Sequence, residues 1–188
     1  MGIYGQVTRL AILMRRAVFL DRDGVINRAI LRDGLPYPPA NLGELEILSG
    51  VSEALHKLHT AGYLLIVVTN QPDVARGKVK KESVEQMNAE LSSRLPLDDI
   101  KTCYHDDGDG CLCRKPLPGA LKVAAKEWHI DLSKSFMIGD RWRDIEAGQR
   151  AGCKTFFVKH PYEERQPETP DFIVPSLLEA QKIITGEY

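Results

Sequence analysis

What constrains this chain most is the way short apolar runs alternate with amphipathic stripes. Five runs have the length and the β-branched or aromatic content of buried strands: 17–20, 63–68, 135–138, 155–158 and 172–174. Between them apolar residues recur at helical spacing. Val51, Ala54, Leu55 and Leu58 follow an i, i+3, i+4, i+7 pattern ahead of Gly62, and Val84, Met87, Leu91 and Leu95 form a similar stripe ahead of Pro96. A third stripe, Leu121, Ala124, Ala125 and Trp128, follows Pro118-Gly119, and further helices are expected over 143–151 and 176–184. Alternation of this kind predicts an α/β domain with a doubly wound, mostly parallel, Rossmann-like sheet covered on both faces. A chain of 188 residues has room for one such domain, 1–188, and none for a large cap.

Two stretches fit neither period. Residues 29–45, rich in Pro and Gly, and 102–118, which hold three cysteines, read as long irregular loops, and such loops in compact domains are usually functional. Residues 1–15 carry no period and are expected to form a loose arm. With 25 Lys and Arg against 26 Asp and Glu the net charge is -1, so no basic field draws the chain to nucleic acid or an anionic membrane. No apolar stretch is long enough to span a bilayer, and 10–14 is too short for a signal-peptide core. A cytoplasmic monomer acting on a small molecule is the expectation.

The chemistry is concentrated just past the strands, where ligands bind in open parallel sheets. One run ends in Asp21-Arg22-Asp23-Gly24, another in Thr69-Asn70-Gln71 and a third in Gly139-Asp140, while Arg114-Lys115-Pro116 precedes a helix. Each piece alone is more often structural. Asp-x-Asp-Gly occurs in turns and calcium loops, although Val25 and Arg32 break the EF-hand pattern at its fifth and twelfth positions. Thr-Asn after a strand is common in plain turns. Together and in this order they suit phosphoryl transfer. Crowded carboxylates call for a hard cation, Mg2+ being the natural candidate. Asp21 can attack phosphorus, Asp23 can serve as acid and then base, and Thr69 and Lys115 can bind the phosphoryl oxygens.

These residues resemble the four motifs of the haloacid dehalogenase-like phosphatases, and the likeness runs from Arg16 to near the end of the chain. It implies that Asp21 is the nucleophile, Asp23 the acid/base, and that Mg2+ is held by Asp21, the main-chain carbonyl of Asp23, and Asp140. Asp144 is then expected to hold the metal's waters or orient Lys115. The nucleophile strand is expected at the centre of the sheet.

Cys103, His105, Cys111 and Cys113 offer three thiolates and one imidazole within eleven residues, the ligand set of a closed structural zinc site. Cys153 stands apart and reads as core packing. Because Arg114-Lys115 follows the last ligand directly, zinc would stiffen the segment that aims Lys115. The cluster narrows the resemblance to the branch that holds histidinol phosphatases and heptose-bisphosphate phosphatases. Val74-Ala75-Arg76-Gly77 and Pro118-Gly119 lean towards the heptose enzymes, which implies hydrolysis of D-glycero-D-manno-heptose 1,7-bisphosphate at C7. The five-residue spacing between His105 and Cys111 leans towards histidinol phosphate, and Pro72-Asp73 departs from the usual Ser-Gly of the heptose enzymes. Asn70, Gln71, Arg76, Arg114 and Arg141 are the expected substrate contacts. Tyr37-Pro38-Pro39 reads as loop packing ahead of a place at the pocket mouth, and His56, His59, His129 and His160 as residues without local partners. A reading from another class, a zinc-stabilised binding module without activity, is disfavoured by the complete set of Asp21, Asp23, Lys115 and Asp140.

Overall fold

The computed structural model describes residues 14–187. Most of the expected arm, 1–13, lies outside the described residues. Arg15 does not belong to an arm, since its N–H donates to the His129 carbonyl and its own carbonyl accepts from Asp131.

Six strands form one parallel sheet in the order β5-β4-β1-β6-β7-β8. They are β1 (Ala17–Leu20), β4 (Leu64–Asn70), β5 (Asp99–Cys103), β6 (Phe136–Gly139), β7 (Lys154–Val158) and β8 (Phe172–Val174). β1 is central, as expected, and wholly buried because helices cover both faces. Its alternate residues serve two cores. Val18 and Leu20 pack with α1 (Val51–Thr60), the end of α2 (Lys81–Arg94) and α5 (Leu177–Thr185), whereas Ala17 and Phe19 pack with α3 (Gly119–Trp128) and α4 (Trp142–Ala151). The chain winds outwards from β1 through β4 to β5, then returns to β6 on the other side and continues to β8. That reversal beside β1 opens a crevice at the carboxyl ends of β1, β4 and β6.

Two stretches expected to be irregular are partly ordered into strands. Within 29–45, β2 (Ile30–Arg32) and β3 (Leu35–Tyr37) pair as a hairpin. Its two-residue turn is Asp33-Gly34, both with positive φ (50° and 73°), which matches the twist of the paired strands. Within 102–118, the start belongs to the edge strand β5, so Cys103 stands on the sheet. No helix of the described residues is long and apolar enough to cross a membrane.

Candidate active site

Parallel register brings the chemistry together. Leu20 lies level with Val67 and Ile138, so Asp21, Thr69 and Asp140 emerge from neighbouring strand ends. Asp21, Asp140 and Asp144 are all buried and place one carboxylate oxygen each within 4.8 Å of the others. Lys115 enters among them. It donates to Asp21 Oδ1 (2.7 Å) and the Val68 carbonyl (2.6 Å) and pairs with Asp144 Oδ1 at 2.6 Å. Burial pulls the lysine's pKa down, but Asp144 and Asp21 together hold it above its ordinary range. Burial pushes Asp21 up to about 6 against the pull of Lys115, and burial with the nearby Asp21 and Asp144 charges pushes Asp140 well above the usual carboxylate range. Three carboxylates facing one ammonium leave the buried cluster short of positive charge, and Asp140 Oδ1 is buried without any hydrogen-bond partner. An oxygen-ligated divalent cation fits that deficit.

Two glycines make the cluster possible. A Cβ on Gly139 would lie 2.1 Å from Asp144 Cβ, and one on Gly24 would lie 1.9 Å from Asp140 Oδ2. Asp144 also caps α4, accepting from the Arg141 N–H at 2.9 Å, so its two oxygens tie the helix start to Lys115.

Asp23 sits beside this cluster with its carboxylate braced from three sides. It accepts from Arg22 Nη2 (3.0 Å), Asn27 Nδ2 (3.0 Å) and Gln71 Nε2 (2.8 Å). Gln71 also donates to Thr69 Oγ1 at 2.8 Å, so its amide is engaged within the site instead of facing a substrate. Asn70 borders the cleft and also holds the main chain of Lys115. It accepts from the Lys115 N–H (3.1 Å) and donates to the Lys115 carbonyl (3.0 Å), clamping the peptide that carries the lysine. Arg22, wholly buried and bonded also to Asn88 at 3.0 Å, is a site residue the sequence reading missed, although its place between two carboxylates of the first motif was a signal.

Above the carboxylates a cleft is bordered by the hairpin residues Pro36, Tyr37 and Pro38 and by Arg76, Arg114, Arg141 and Arg143. Tyr37 and Pro38 therefore border the pocket mouth, the second of the two readings of that loop. Each arginine has a carboxylate partner. Arg76 forms a two-pronged pair with Asp106 (2.8 and 2.6 Å), and Arg141 another with Glu164 (2.7 and 2.5 Å). Asp107 takes Arg114 at 2.8 Å and Arg143 at 3.1 Å. Arg143, expected only at the start of a helix, joins the other arginines at the cleft.

The expected zinc ligands converge. Cys103 Sγ lies 3.7 Å from Cys111 Sγ and 3.0 Å from Cys113 Sγ, and Cys111 and Cys113 are 3.6 Å apart. His105 Nδ1 is 3.6 Å from Cys103 and 3.4 Å from Cys113. A tetrahedral zinc with bonds of about 2.3 Å to sulfur sets its sulfurs roughly 3.7 Å apart, close to most of these separations. The loop between the ligands carries Asp106 and Asp107, so the same element that could hold the metal fixes Arg76 and Arg114 at the cleft. Cys153 is buried in the core beneath the α3 and α4 face, as expected.

Comparison with known proteins fits this geometry. A family model described as HAD-hydrolase-like matches residues 112–180. The D-glycero-beta-D-manno-heptose-1,7-bisphosphate 7-phosphatase of Pasteurella multocida (strain Pm70) is 37% identical over 187 residues, covering 92% of this chain and 98% of that protein. The protein of the same name from Escherichia coli (strain K12) is 34% identical over 183 residues, covering 89% and 93%. The chain belongs to the haloacid dehalogenase-like phosphatases.

Among solved structures of this family, the D,D-heptose 1,7-bisphosphate phosphatase of B. bronchiseptica, complexed with magnesium and phosphate, superposes with a TM-score of 0.78. Its sequence is 28% identical, and the match covers 92% of this chain and 99% of that one. A HAD-like phosphatase structure from Mesorhizobium loti gives a TM-score of 0.71 at 28% identity, covering 91% and 88%. Membership of a phosphatase family leaves the reading of an inactive binding module without support.

Proposed function

We propose that this phosphatase hydrolyses D-glycero-D-manno-heptose 1,7-bisphosphate at its C7 ester, with Mg2+ at the carboxylates and a structural Zn2+ in the cysteine loop. The observation that carries the reading is the buried cluster of Asp21, Asp140, Asp144 and Lys115 opening into a cleft bordered by arginines. Asp21 and Asp140, with the main chain of Asp23, would hold Mg2+, which when bound offsets the charge of the phosphoryl oxygens. Asp21 attacks phosphorus through a carboxylate oxygen, and the bond to the C7 oxygen breaks. Asp23 gives that oxygen a proton, so the sugar departs as a neutral alcohol. Asp23, now a carboxylate, takes a proton from water. The water oxygen bonds to phosphorus, the aspartyl-phosphate bond breaks, and phosphate leaves with Asp21 restored. Lys115 Nζ and Thr69 Oγ1 offset charge on the transferring group. Asn70 fixes the Lys115 peptide, while Gln71, Arg22 and Asn27 hold Asp23 at its post.

The second phosphate is assigned to the arginines of the cleft, whose planar forks suit a phosphate. Arg114→Ala should lower kcat/KM for the bisphosphate roughly 10- to 100-fold, the cost of a lost charge-assisted hydrogen bond. Turnover of p-nitrophenyl phosphate, which has no second phosphate, should stay within about threefold. The substrate is tested by measuring kcat/KM for the heptose bisphosphate and for histidinol phosphate on one Mg2+-loaded preparation. A clear preference for histidinol phosphate, or equally slow turnover of every ester, means the heptose assignment is wrong.

Zinc here is a staple and not a reactant, because four protein ligands leave no open position. The purified chain should carry about one Zn2+, and Cys111→Ala should lose it. We expect a melting temperature lower by roughly 5–10 °C and a reduced kcat, as Lys115 and the arginines lose their support. Elemental analysis and thermal melts of the two chains check this. Zinc absent from the wild-type protein, or a variant as stable and active as its parent, would remove the staple from the account.

A further inference from the structure

The segment after β7 makes four successive attachments around the carboxylates, none of which the proposed reaction uses. His160 Nε2 lies 2.8 Å from the Gly24 carbonyl, and its ring stacks on Tyr162 with centroids 5.1 Å apart. Tyr162 Oη donates to Asp140 Oδ2 at 2.8 Å. The Glu163 N–H donates to the Gly34 carbonyl at the hairpin turn (2.9 Å), and Glu164 holds Arg141. Tyr162 is therefore fixed on both sides, with its ring held by an imidazole that is itself bonded to the backbone beside the nucleophile loop.

Its hydroxyl decides which oxygen of Asp140 is free. Oδ2 is occupied by the phenol, while Oδ1 is the buried oxygen without a partner. The bond fits only because position 24 is glycine, since a Cβ there would lie 1.9 Å from Asp140 Oδ2 and 2.9 Å from Tyr162 Oη. A carboxylate with one oxygen held and the other free presents a single oriented ligand, and groups that hold metal ligands in this way raise metal affinity. We propose that Tyr162 is a positioning residue that locks the Asp140 carboxylate with Oδ1 towards the Mg2+ site. This rests on the reading of that cluster as a Mg2+ centre.

Tyr162→Phe removes one oxygen and keeps the ring on His160, so the fold should hold. Glu164→Gln loosens the same segment at its neighbouring attachment but leaves the bond to Asp140. Titrating MgCl2 into the zinc-loaded wild type and both variants by calorimetry, without substrate, gives the Kd directly. We expect Tyr162→Phe to raise it about tenfold, the lower end of what removing such a partner costs. Glu164→Gln should change it less than about twofold, and kcat of Tyr162→Phe at saturating Mg2+ should stay within about threefold of wild type, because the tyrosine acts on affinity and not on phosphorus. An unchanged Kd in Tyr162→Phe, or an equal rise in Glu164→Gln, would overturn the positioning role. Wild-type protein that takes up no Mg2+ would instead overturn the Mg2+ reading itself, and this inference with it.

Discussion

An Asp21→Asn chain should fold, keep its zinc and lose turnover by at least about 10⁴-fold, the scale on which removing a covalent nucleophile acts. The amide keeps the volume of the buried carboxylate but cannot form the bond to phosphorus. It also spares the fold, since burial holds Asp21 up at about 6 and a neutral group there relieves crowding with Asp140 and Asp144. Phosphate release by the pure variant, measured beside circular dichroism and zinc content, checks the claim. Activity within about 100-fold of wild type would mean that another group, or water directly, attacks the ester.

Lys115→Met should damage both stability and rate. Among the described residues the lysine is the only side-chain cation bonded to Asp21 and Asp144, at 2.7 and 2.6 Å, and all three groups are buried. Breaking a buried ion pair from one side costs about 3–5 kcal/mol, because the partner charges stay behind. The loss should depend on pH. Lys115 lowers the Asp21 pKa, so without it the folded value rises further above about 6, against 3.8 for the ordinary group. Between those values the folded state binds the extra proton, and stability therefore falls as pH rises. Thermal melts of metal-free protein should show the larger deficit at pH 8 and the smaller at pH 5, with Mg2+ recovering part of it. A deficit that is flat with pH would contradict the electrostatic cause. Turnover at saturating Mg2+ should still fall about 10²- to 10³-fold, since the positive charge beside the nucleophile is gone.

Much of this was legible because it is local. Ala17–Leu20 is a continuous apolar run ended by a carboxylate, which suffices to read a buried strand with Asp21 at its mouth, while the central place of that strand came from the family resemblance. Strand β5 was missed because it lies at the sheet edge, where Asp99, Lys101 and Thr102 are only half-buried and leave no apolar signature. The hairpin was missed although Asp33-Gly34 is a strong turn signal, because its strands are three residues long and one contains Pro36. Residue identity gave the motifs but not the direction of their hydrogen bonds. Gln71 is expected as a substrate contact, yet its amide closes on Asp23 and Thr69. Arg76 and Arg141 were placed at the cleft, but their partners Asp106 and Glu164 come from other loops, and only the tertiary fold shows them. His160 looked isolated for the same reason, as its partner Gly24 is 136 residues away.

The central claim is that the phosphoryl group passes through Asp21. It is tested most directly by mixing Mg2+-loaded enzyme with 32P-labelled substrate, quenching in acid within milliseconds, and mapping label that stays on the protein. The Asp23→Asn variant, whose second step lacks its base, should hold more label at steady state than wild type. The account predicts up to one phosphoryl group per chain, released by hydroxylamine as an acyl phosphate is, on the peptide containing Asp21 and absent from Asp21→Asn. Label on any other residue, or none in either active chain while phosphate is being released, would contradict it.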